Sequence, residues 1–301
     1  NAALGVARTR AVETLPVHAR MIDGLAARTG LDRDLEVLPH PAEIDELVAV
    51  GHGLASPELA VLLAHTKLDI KAAVLRTDLP ERPEFADRLP GYFPRALRER
   101  FPAAVAAHPL RREIVTTMLV NEVVDRAGIT FVHRLGEDTG VGADDAVRAF
   151  RVAVTVFDLP ALWARVAALP GTVPTAAADA IAVATRRLVD VAARWLLAYR
   201  PRPLDVPAEI ERFAGPVHRL LPDLGSLLRG TESTAMAHRA AALAGQGVPA
   251  ALADRVAALA AAHGLLDVVE VAAPAQQLPI EQIAGLYFTL SERSAARVPA
   301  D

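Results

Sequence analysis

The sequence predicts an all-α fold, a multi-helix bundle that could divide into two packed helical subdomains. Hydrophobic residues make up 52% of the 301 residues, which is enough to bury an ample core. Proline and glycine separate segments whose apolar residues recur at helical spacing, and we find no segment with the alternation or the turn-linked pairing of strands. We therefore expect roughly 70% helix, against a share of about a third in ordinary globular proteins.

The first strongly patterned helix is predicted to begin at Ser56-Pro57-Glu58, which combines a capping residue, a first-turn proline and an early acid. One stripe of its side chains should face a neighbour: Leu59, Leu62, Leu63, Thr66, Ile70, Ala73 and Val74. A second seam lies on the opposite side: Val61, Leu68 and Leu75. Two apolar faces imply two neighbours, so we expect this helix to be interior.

A second helix is predicted over residues 109–127. Pro109 suits the first turn, where its missing N–H would be unpaired in any case, and Gly128 supplies the stop. The segment is apolar nearly all round, which is typical of a helix inside a bundle.

Two polar residues of this helix share a face with apolar ones. At 100° per residue, Asn121 and Asp125 fall on one side together with Leu110, Ile114 and Met118. We expect this side to face the bundle interior, where each polar group needs a hydrogen-bond partner. Arg111 or Arg126 would supply one.

A longer helix, predicted over 175–200, has two contrasting faces. One face carries large apolar and aromatic side chains: Ile181, Leu188, Trp195 and Tyr199. The other is charged: Arg186, Arg187, Asp190 and Arg194. This pattern predicts packing on one side and contact with water or a partner on the other.

A domain boundary is suggested by RPRPLDVP at 200–207, where closely spaced prolines end the long helix and stiffen the connection. We therefore expect a helical bundle over 1–200 and a smaller alanine-rich helical subdomain over 208–301. Its predicted helices are 208–221, 232–245, 248–272 and 278–296.

Composition argues against several classes of partner. The net charge of −4 leaves no basic footprint for nucleic acid. The chain has no cysteine, which removes disulfides, thiolate zinc sites and thiol nucleophiles together. No run reaches the roughly 18 to 20 apolar residues that a membrane helix needs. We expect a soluble, cytoplasmic protein that binds neither nucleic acid nor membrane.

The glycine and lysine patterns do not predict a phosphate site. The segment Gly51-His52-Gly53 offers G-x-G, but no strand precedes it and Ser56 replaces the third glycine, so a helix-to-helix turn is favoured. Lys67 and Lys71, with Asp69 and Asp78 nearby, could line an anion site. An ion-paired helix edge is the favoured interpretation.

The other candidate groups also have structural interpretations. Nine histidines are scattered without metal-ligand spacing, and surface or capping roles are expected for them: residues 18, 40, 52, 65, 108, 133, 218, 238 and 263. Ser226 lacks a nucleophile elbow because Leu224 stands in place of the first glycine. The paired acids Glu137-Asp138 and Asp144-Asp145 are poor catalytic candidates, since the second pair sits at a helix start.

Four blocks of sequence carry a family resemblance. They are GLASPELAVLLAHTKL at 53–68, HPLRREIVTTMLVNEVVDRAGITFVHRL at 108–135, DLPALWARVAAL at 158–169 and RWLLAYRPRPLDV at 194–206. With these blocks in order, the chain from about Ala19 to about Tyr287 resembles the C-terminal region of the large bacterial NAD-specific glutamate dehydrogenases. After Tyr287 the sequence departs from the family pattern, so we expect the domain to be incomplete or diverged there.

The resemblance implies a parent enzyme that converts glutamate, NAD and water to 2-oxoglutarate, ammonia and NADH. In that family the catalytic and dinucleotide-binding domains lie upstream, so this piece resembles an accessory module, structural or regulatory. Its implied partners are the catalytic domain of its own parent chain and further copies in a homo-oligomer. NAD would bind to the parent chain. We expect the fragment alone to be inactive, with no catalytic, cofactor-binding or metal-binding residue.

Two other functions stay open. The chain could be an independent helical protein-binding module that uses a groove beside the 175–200 helix, and an exposed apolar patch would favour this. It could also be an autonomous small-molecule enzyme, for which a polar, convergent pocket with perturbed carboxylates would be the signature.

Overall fold

The computed structural model describes residues 2–273 and 278–295. Helices account for 77% of these residues and none of them is in a strand, which confirms the all-α prediction. No helix in this part of the chain combines the length and the apolar character needed to cross a bilayer. Contacts group the chain into two compact units, unit 1 (residues 1–148) and unit 2 (residues 149–301).

Unit 1 is built from short and medium helices joined by tight turns, with one 3-10 turn at Leu79–Glu81. Its helices are α1 (Ala2–Thr9), α2 (Ala11–Thr29), α3 (Pro41–Ala49), α4 (Ser56–Leu75), α5 (Pro83–Ala86), α6 (Leu89–Tyr92), α7 (Arg95–Arg100), α8 (Pro102–Ala106), α9 (Arg111–Ala127) and α10 (Phe131–Thr139). A further helix, α11 (Ala143–Val156), contains the boundary between the two units.

Helix α4 is central to the core of unit 1, where it packs against α1, α2 and α9. Most of the predicted stripe is fully buried: Leu59, Leu62, Thr66, Ile70 and Val74. The second seam is not interior, because Leu68 is 59% exposed and its companions are only half-buried. The neighbours cover one side of α4 and leave the Leu68 side to solvent. The prediction of an interior helix was therefore right for one face only.

Helix α9 begins at Arg111, two residues later than predicted. His108 and Leu110 form a turn instead, in which the His108 Nδ1 accepts a hydrogen bond from the Leu110 N–H at 3.1 Å. The helix ends at Ala127, followed by Gly128 as expected. Its buried residues are Ile114, Val115, Thr116, Leu119, Val120, Val123, Val124 and Ala127.

The predicted burial of Asn121 was wrong, because Asn121 is exposed. Asp125 is half-buried, and the Lys67 Nζ of α4 donates to its Oδ1 at 3.3 Å. Asp125 also acts electrostatically on its neighbour Arg126, one of the two arginines predicted as partners. When both sides of a helix are apolar, the sequence alone does not determine which side is buried. In α9, packing against α4 determines it.

Unit 2 contains longer helices: α12 (Leu159–Ala167), α13 (Thr175–Tyr199), α14 (Val206–Leu220), α15 (Leu224–Leu227), α16 (Gly230–Gly245), α17 (Ala250–Ala262), α18 (Gly264–Ala272) and α19 (Ile280–Ala295). Helix α17 packs against α13 and α16, and α18 packs against α14 and α19. The single helix predicted over 248–272 is two helices, which meet at His263.

Helix α13 largely has the two predicted faces. Ile181 and Leu188 are buried, whereas Tyr199, predicted on the same face, is 70% exposed at the last turn. On the charged side, the Arg194 Nε donates to the Asp190 Oδ2 at 3.1 Å across one helical turn.

The proline-rich segment 200–207 lies within unit 2. Across it, the rings of Trp195 and Phe213 meet edge to face with centroids 5.6 Å apart. The Arg200 Nε also donates to the Glu209 Oε2 at 2.9 Å. The segment thus connects α13 and α14, two helices that pack together within unit 2. A division into separately folding parts over 1–200 and 208–301 stays a prediction.

The burial pattern of α9 predicts a contrast between two substitutions. Leu119→Ala removes a buried side chain and should lower the free energy of unfolding by about 2–5 kcal/mol. Asn121→Ala acts on the exposed face and should change it by less than about 0.5 kcal/mol. Urea denaturation of both variants measures the difference, and equal destabilisation would contradict the assigned faces.

Candidate functional site

The Gly51–Ser56 segment is the predicted turn between two helices, α3 and α4. Gly51 has a positive φ of 68°, and a Cβ at Gly53 would lie 2.2 Å from the carbonyl carbon of Ala11 in α2. Both glycines therefore serve the turn and its close packing. The Glu58 carboxylate accepts the Ala55 N–H at 2.5 Å, which closes the first turn of α4.

The lysine and aspartate cluster of α4 is an ion-paired helix edge. Lys67 contacts Asp125, and the Asp69 carboxylate accepts the Arg28 Nη2 of α2 at 2.9 Å. Asp78, beyond the helix, accepts the Arg82 Nε at 2.8 Å. Lys67, Asp69 and Asp78 are thus each paired with a residue outside the cluster.

His18 departs from the surface or capping role expected for the histidines. It is only 1% exposed in α2, and burial lowers the pKa of its imidazole from the ordinary 6.5 to about 4. Its Nδ1 has no hydrogen-bond partner among the residues that the structure describes. The sequence signal for this burial is its position among apolar residues of an amphipathic helix.

The paired acids and Ser226 have structural partners. The Glu137 carboxylate accepts the Nε and Nη2 of Arg20 at 2.7 and 3.1 Å, and this pairing lowers the pKa of Glu137. Asp144 and Asp145 lie in the first turn of α11, as predicted. The Ser226 Oγ donates to the Asp223 carbonyl at 2.7 Å. Within residues 2–273 and 278–295, no cluster of three histidines or acids could hold a metal ion.

A cavity of about 610 Å³ in unit 2 was missed by the sequence analysis. Its charged lining comes from α12, α14, α17 and the turns beside them: Asp158, Arg165, His218, Asp223, Asp254 and Arg255. The Arg255 Nη2 donates to the Phe157 carbonyl at 2.8 Å, and burial lowers the pKa of Arg255. Charges of both signs line this space, so the electrostatics select no single ligand class.

Two polar networks hold the helices of unit 2 together. Asp267 of α18 accepts the Trp195 Nε1–H at 2.7 Å and the Tyr287 hydroxyl at 2.8 Å. Burial and Asp267 raise the pKa of Tyr287. In the second network, Glu270 accepts from the side chains of Arg200 and Arg212 at 3.0 and 2.8 Å. Half-buried charge pairs of this kind fix the relative positions of the helices that carry them.

One surface of unit 1 combines exposed apolar side chains with a high acidic charge. It comprises residues 32–58 and is called here the 32–58 surface. Four large apolar side chains are exposed on it: Leu35, Val37, Val48 and Val50. Seven acids, Asp32, Asp34, Glu36, Glu43, Asp45, Glu46 and Glu58, outweigh the single Arg33. The segment is therefore more negative than the whole chain, which carries −4.

A concavity of about 560 Å³ lies on this surface. Its walls are the turn after α2 and the outer face of α3, with Val37, His40, Glu46 and Val50 among the lining residues. Helix α3 is anchored to α2, and Ile44 is its buried residue. Of the remaining residues of α3, Leu47 is half-buried and the others are exposed.

Val37 occupies a backbone position that glycine normally fills. The Leu38 N–H donates to the Arg33 carbonyl at 2.9 Å and the Val37 N–H donates to the Asp34 carbonyl, which is the pattern of a Schellman turn. Val37 takes the left-handed position with φ 52°, which is strained for a β-branched residue. Its side chain is 80% exposed, so packing within unit 1 does not offset the strain.

Comparison with known proteins identifies the family. The family described as "Glutamate dehydrogenase, C-terminal" matches residues 51–295, which extends beyond Tyr287, where the sequence predicted the likeness to end. An NAD-specific glutamate dehydrogenase of Mycobacterium tuberculosis is 46% identical over 293 residues, 97% of this chain and 18% of that protein.

Two further relatives have the same name. The NAD-specific glutamate dehydrogenases of Halomonas elongata and Pseudomonas aeruginosa are 31% and 33% identical over 97% and 96% of this chain. The chain spans 18% of the length of each of these curated relatives.

Burial of His18 predicts a specific pH dependence of stability. The folded-state pKa of about 4 lies below the unfolded value of 6.5, so the unfolded chain binds the proton more tightly. The free energy of unfolding should therefore fall by on the order of 3 kcal/mol from this group as pH drops from 6.5 to 4. A His18→Phe variant should show a flatter profile in urea denaturation across that range. Identical pH profiles of the free energy of unfolding for the two proteins would show that His18 is not buried as a neutral imidazole.

Proposed function

Because the chain belongs to the glutamate dehydrogenase C-terminal family, we propose that it is the helical accessory module of an NAD-dependent glutamate dehydrogenase. The longer protein would convert glutamate, NAD and water to 2-oxoglutarate, ammonia and NADH. One observation carries the proposal. Relatives named NAD-specific glutamate dehydrogenase match nearly the whole chain while it spans 18% of their length.

The chemistry of hydride transfer supports an accessory role. NAD binding in this class of enzyme uses a strand, a glycine-rich turn and a helix N-terminus that holds the pyrophosphate. The G-x-G of this chain lies between two helices, and Gly53 is packed against the backbone of α2. Lys67, one of the two lysines considered for an anion site, is engaged with Asp125. We place the NAD and glutamate sites in the rest of the longer protein.

The partner that we propose is the catalytic domain of the same polypeptide, within a homo-oligomer. A structural or regulatory module acts by contact, and the 32–58 surface offers exposed apolar area for one. The compartment that we propose is the cytoplasm, which agrees with a sequence that contains no cysteine.

A second candidate function is an independent helical protein-binding module. The 32–58 surface also favours this, since an apolar patch rimmed by charge is typical of protein interfaces. The two candidates differ in the partner. An accessory module contacts its own longer chain, whereas an independent module retains full binding when separated from it.

Removal of the chain from the longer protein tests the proposal. We expect the isolated 301 residues to give no heat with NAD or glutamate in calorimetric titration. The longer protein without them should lose activity or assemble incorrectly, because surface that the module covers becomes exposed. Saturable micromolar NAD binding by the isolated chain would contradict the accessory role. Unchanged kinetics and oligomer size in the truncated protein would show that the module is dispensable.

A further inference from the structure

The 32–58 surface has free as well as engaged acidic groups. Asp34 contacts His40, Glu36 contacts His65, and Glu43 accepts the His40 N–H, so these acids stabilise the turn and α3. In the part of the chain that the structure describes, no partner is found for the side chains of Asp45 and Glu46. The outer face of α3 thus carries negative charge that the local structure does not use.

Apolar groups lie directly beside these free acids. Val50 follows Glu46 by one helical turn, and its N–H donates to the Glu46 carbonyl at 3.1 Å. Val50 is 65% exposed, Val48 is also exposed, and Val37 lines the same concavity as Glu46 and Val50. A helix face that contacts only water usually carries polar side chains rather than exposed valines. Exposed apolar side chains beside unpaired charges, as at Val37, Val50 and Glu46, are typical of a surface that another protein segment covers.

The strained backbone at Val37 also indicates a surface that another protein segment covers. Glycine at this position would remove a steric cost of the left-handed conformation, and valine gains no burial within unit 1 to offset it. The cost of a strained backbone at an exposed residue is offset when a partner buries the side chain. A partner that contacts Val37 would offset it in this way.

Charge complementarity defines the partner. A segment that covers a surface with an excess of six negative charges must bring arginine or lysine to avoid repulsion, and apolar residues to cover the valines. Because the chain is 18% of the length of its relatives, most of the longer protein proposed above would lie outside these residues and be covalently linked to the surface. A tethered segment binds at a high effective concentration, which favours it over a separate protein.

We infer that the 32–58 surface is the docking site for a basic, apolar segment of the same polypeptide that lies outside these 301 residues. The inference rests on the proposed accessory role and names the contact through which that role is exerted. Most of this surface lies before residue 51, where the family match begins, so it is argued from the residues of this chain.

Site-specific photo-crosslinking in the longer protein tests the inference. A benzophenone amino acid replaces Val50, and a matched probe replaces Leu68, which is similarly exposed on another face of unit 1. We expect the Val50 probe to crosslink within the same polypeptide to a segment outside these residues with more arginine and lysine than acid. The Leu68 probe should not capture that segment. A Val50 yield no higher than that of Leu68, capture of an acidic segment, or capture of a second copy or another protein would overturn the inference.

Charge reversal supplies an independent test. Glu46→Lys should lower the Val50 crosslink yield by about fivefold, as expected when one exposed attraction becomes a repulsion. The variant should fold, because lysine in the last turn of α3 complements the helix dipole. Asp87→Lys, an exposed acid elsewhere in unit 1, is the matched control and should leave the yield unchanged. Equal yields for the two variants would overturn the charge argument.

Val37→Gly separates docking from stability. It should raise the melting temperature of the 301-residue chain by about 2–4 °C, because glycine adopts the left-handed conformation without strain. It should also lower the Val50 crosslink yield through loss of the exposed side chain. A higher melting temperature with an unchanged yield would exclude Val37 from the contact and overturn the docking site as defined. Loss of activity on deletion of the module, with no Val50 crosslink, would leave the accessory role standing and this contact refuted.

Discussion

Burial of one apolar face on each long helix is the constraint on which both units depend. In unit 1, α4 satisfies it against α1, α2 and α9, and in unit 2, α13 satisfies it against α17. Some polar groups enter these cores with partners close in sequence, whereas His18 Nδ1 and the Thr66 and Thr116 hydroxyls have none among the described residues. Thr185 donates to the Ile181 carbonyl in the preceding turn, and Glu209 is held by Arg200. Because the long helices bury their apolar faces in this way, apolar side chains that remain exposed near one another indicate a surface that a partner covers.

The buried stripe of α4 and the end of α9 could be predicted, because each rests on local chemistry. Leu59 to Val74 recur at helical spacing, and glycine ends α9. The orientation of α9 could not be predicted, since both sides are apolar and only tertiary packing decides that Asn121 faces out. The break between α17 and α18 was missed although Gly264 directly follows His263, because a single glycine inside an apolar helical pattern is tolerated and the sequence reads as one helix.

The candidate docking surface escaped sequence analysis for a different reason. Residues 32–58 contain acids and valines that follow no motif, and each is ordinary by itself. Two properties that define the surface, the left-handed conformation of Val37 and the shared concavity of Val37 and Val50, depend on backbone geometry. In contrast, the family likeness was visible from four blocks of sequence, and the match over residues 51–295 confirms it.

Hydrogen–deuterium exchange, compared between the isolated 301-residue chain and the same residues within the longer protein, tests the account most directly. We expect identical protection in α4, α9, α13 and α17, because each unit buries these helices by itself. We expect added protection at residues 35–50 in the longer protein, at the proposed docking surface. Collapse of protection in the core helices of the isolated chain would contradict a self-contained module. Equal exchange at residues 35–50 in both proteins would contradict docking of the longer protein on this surface.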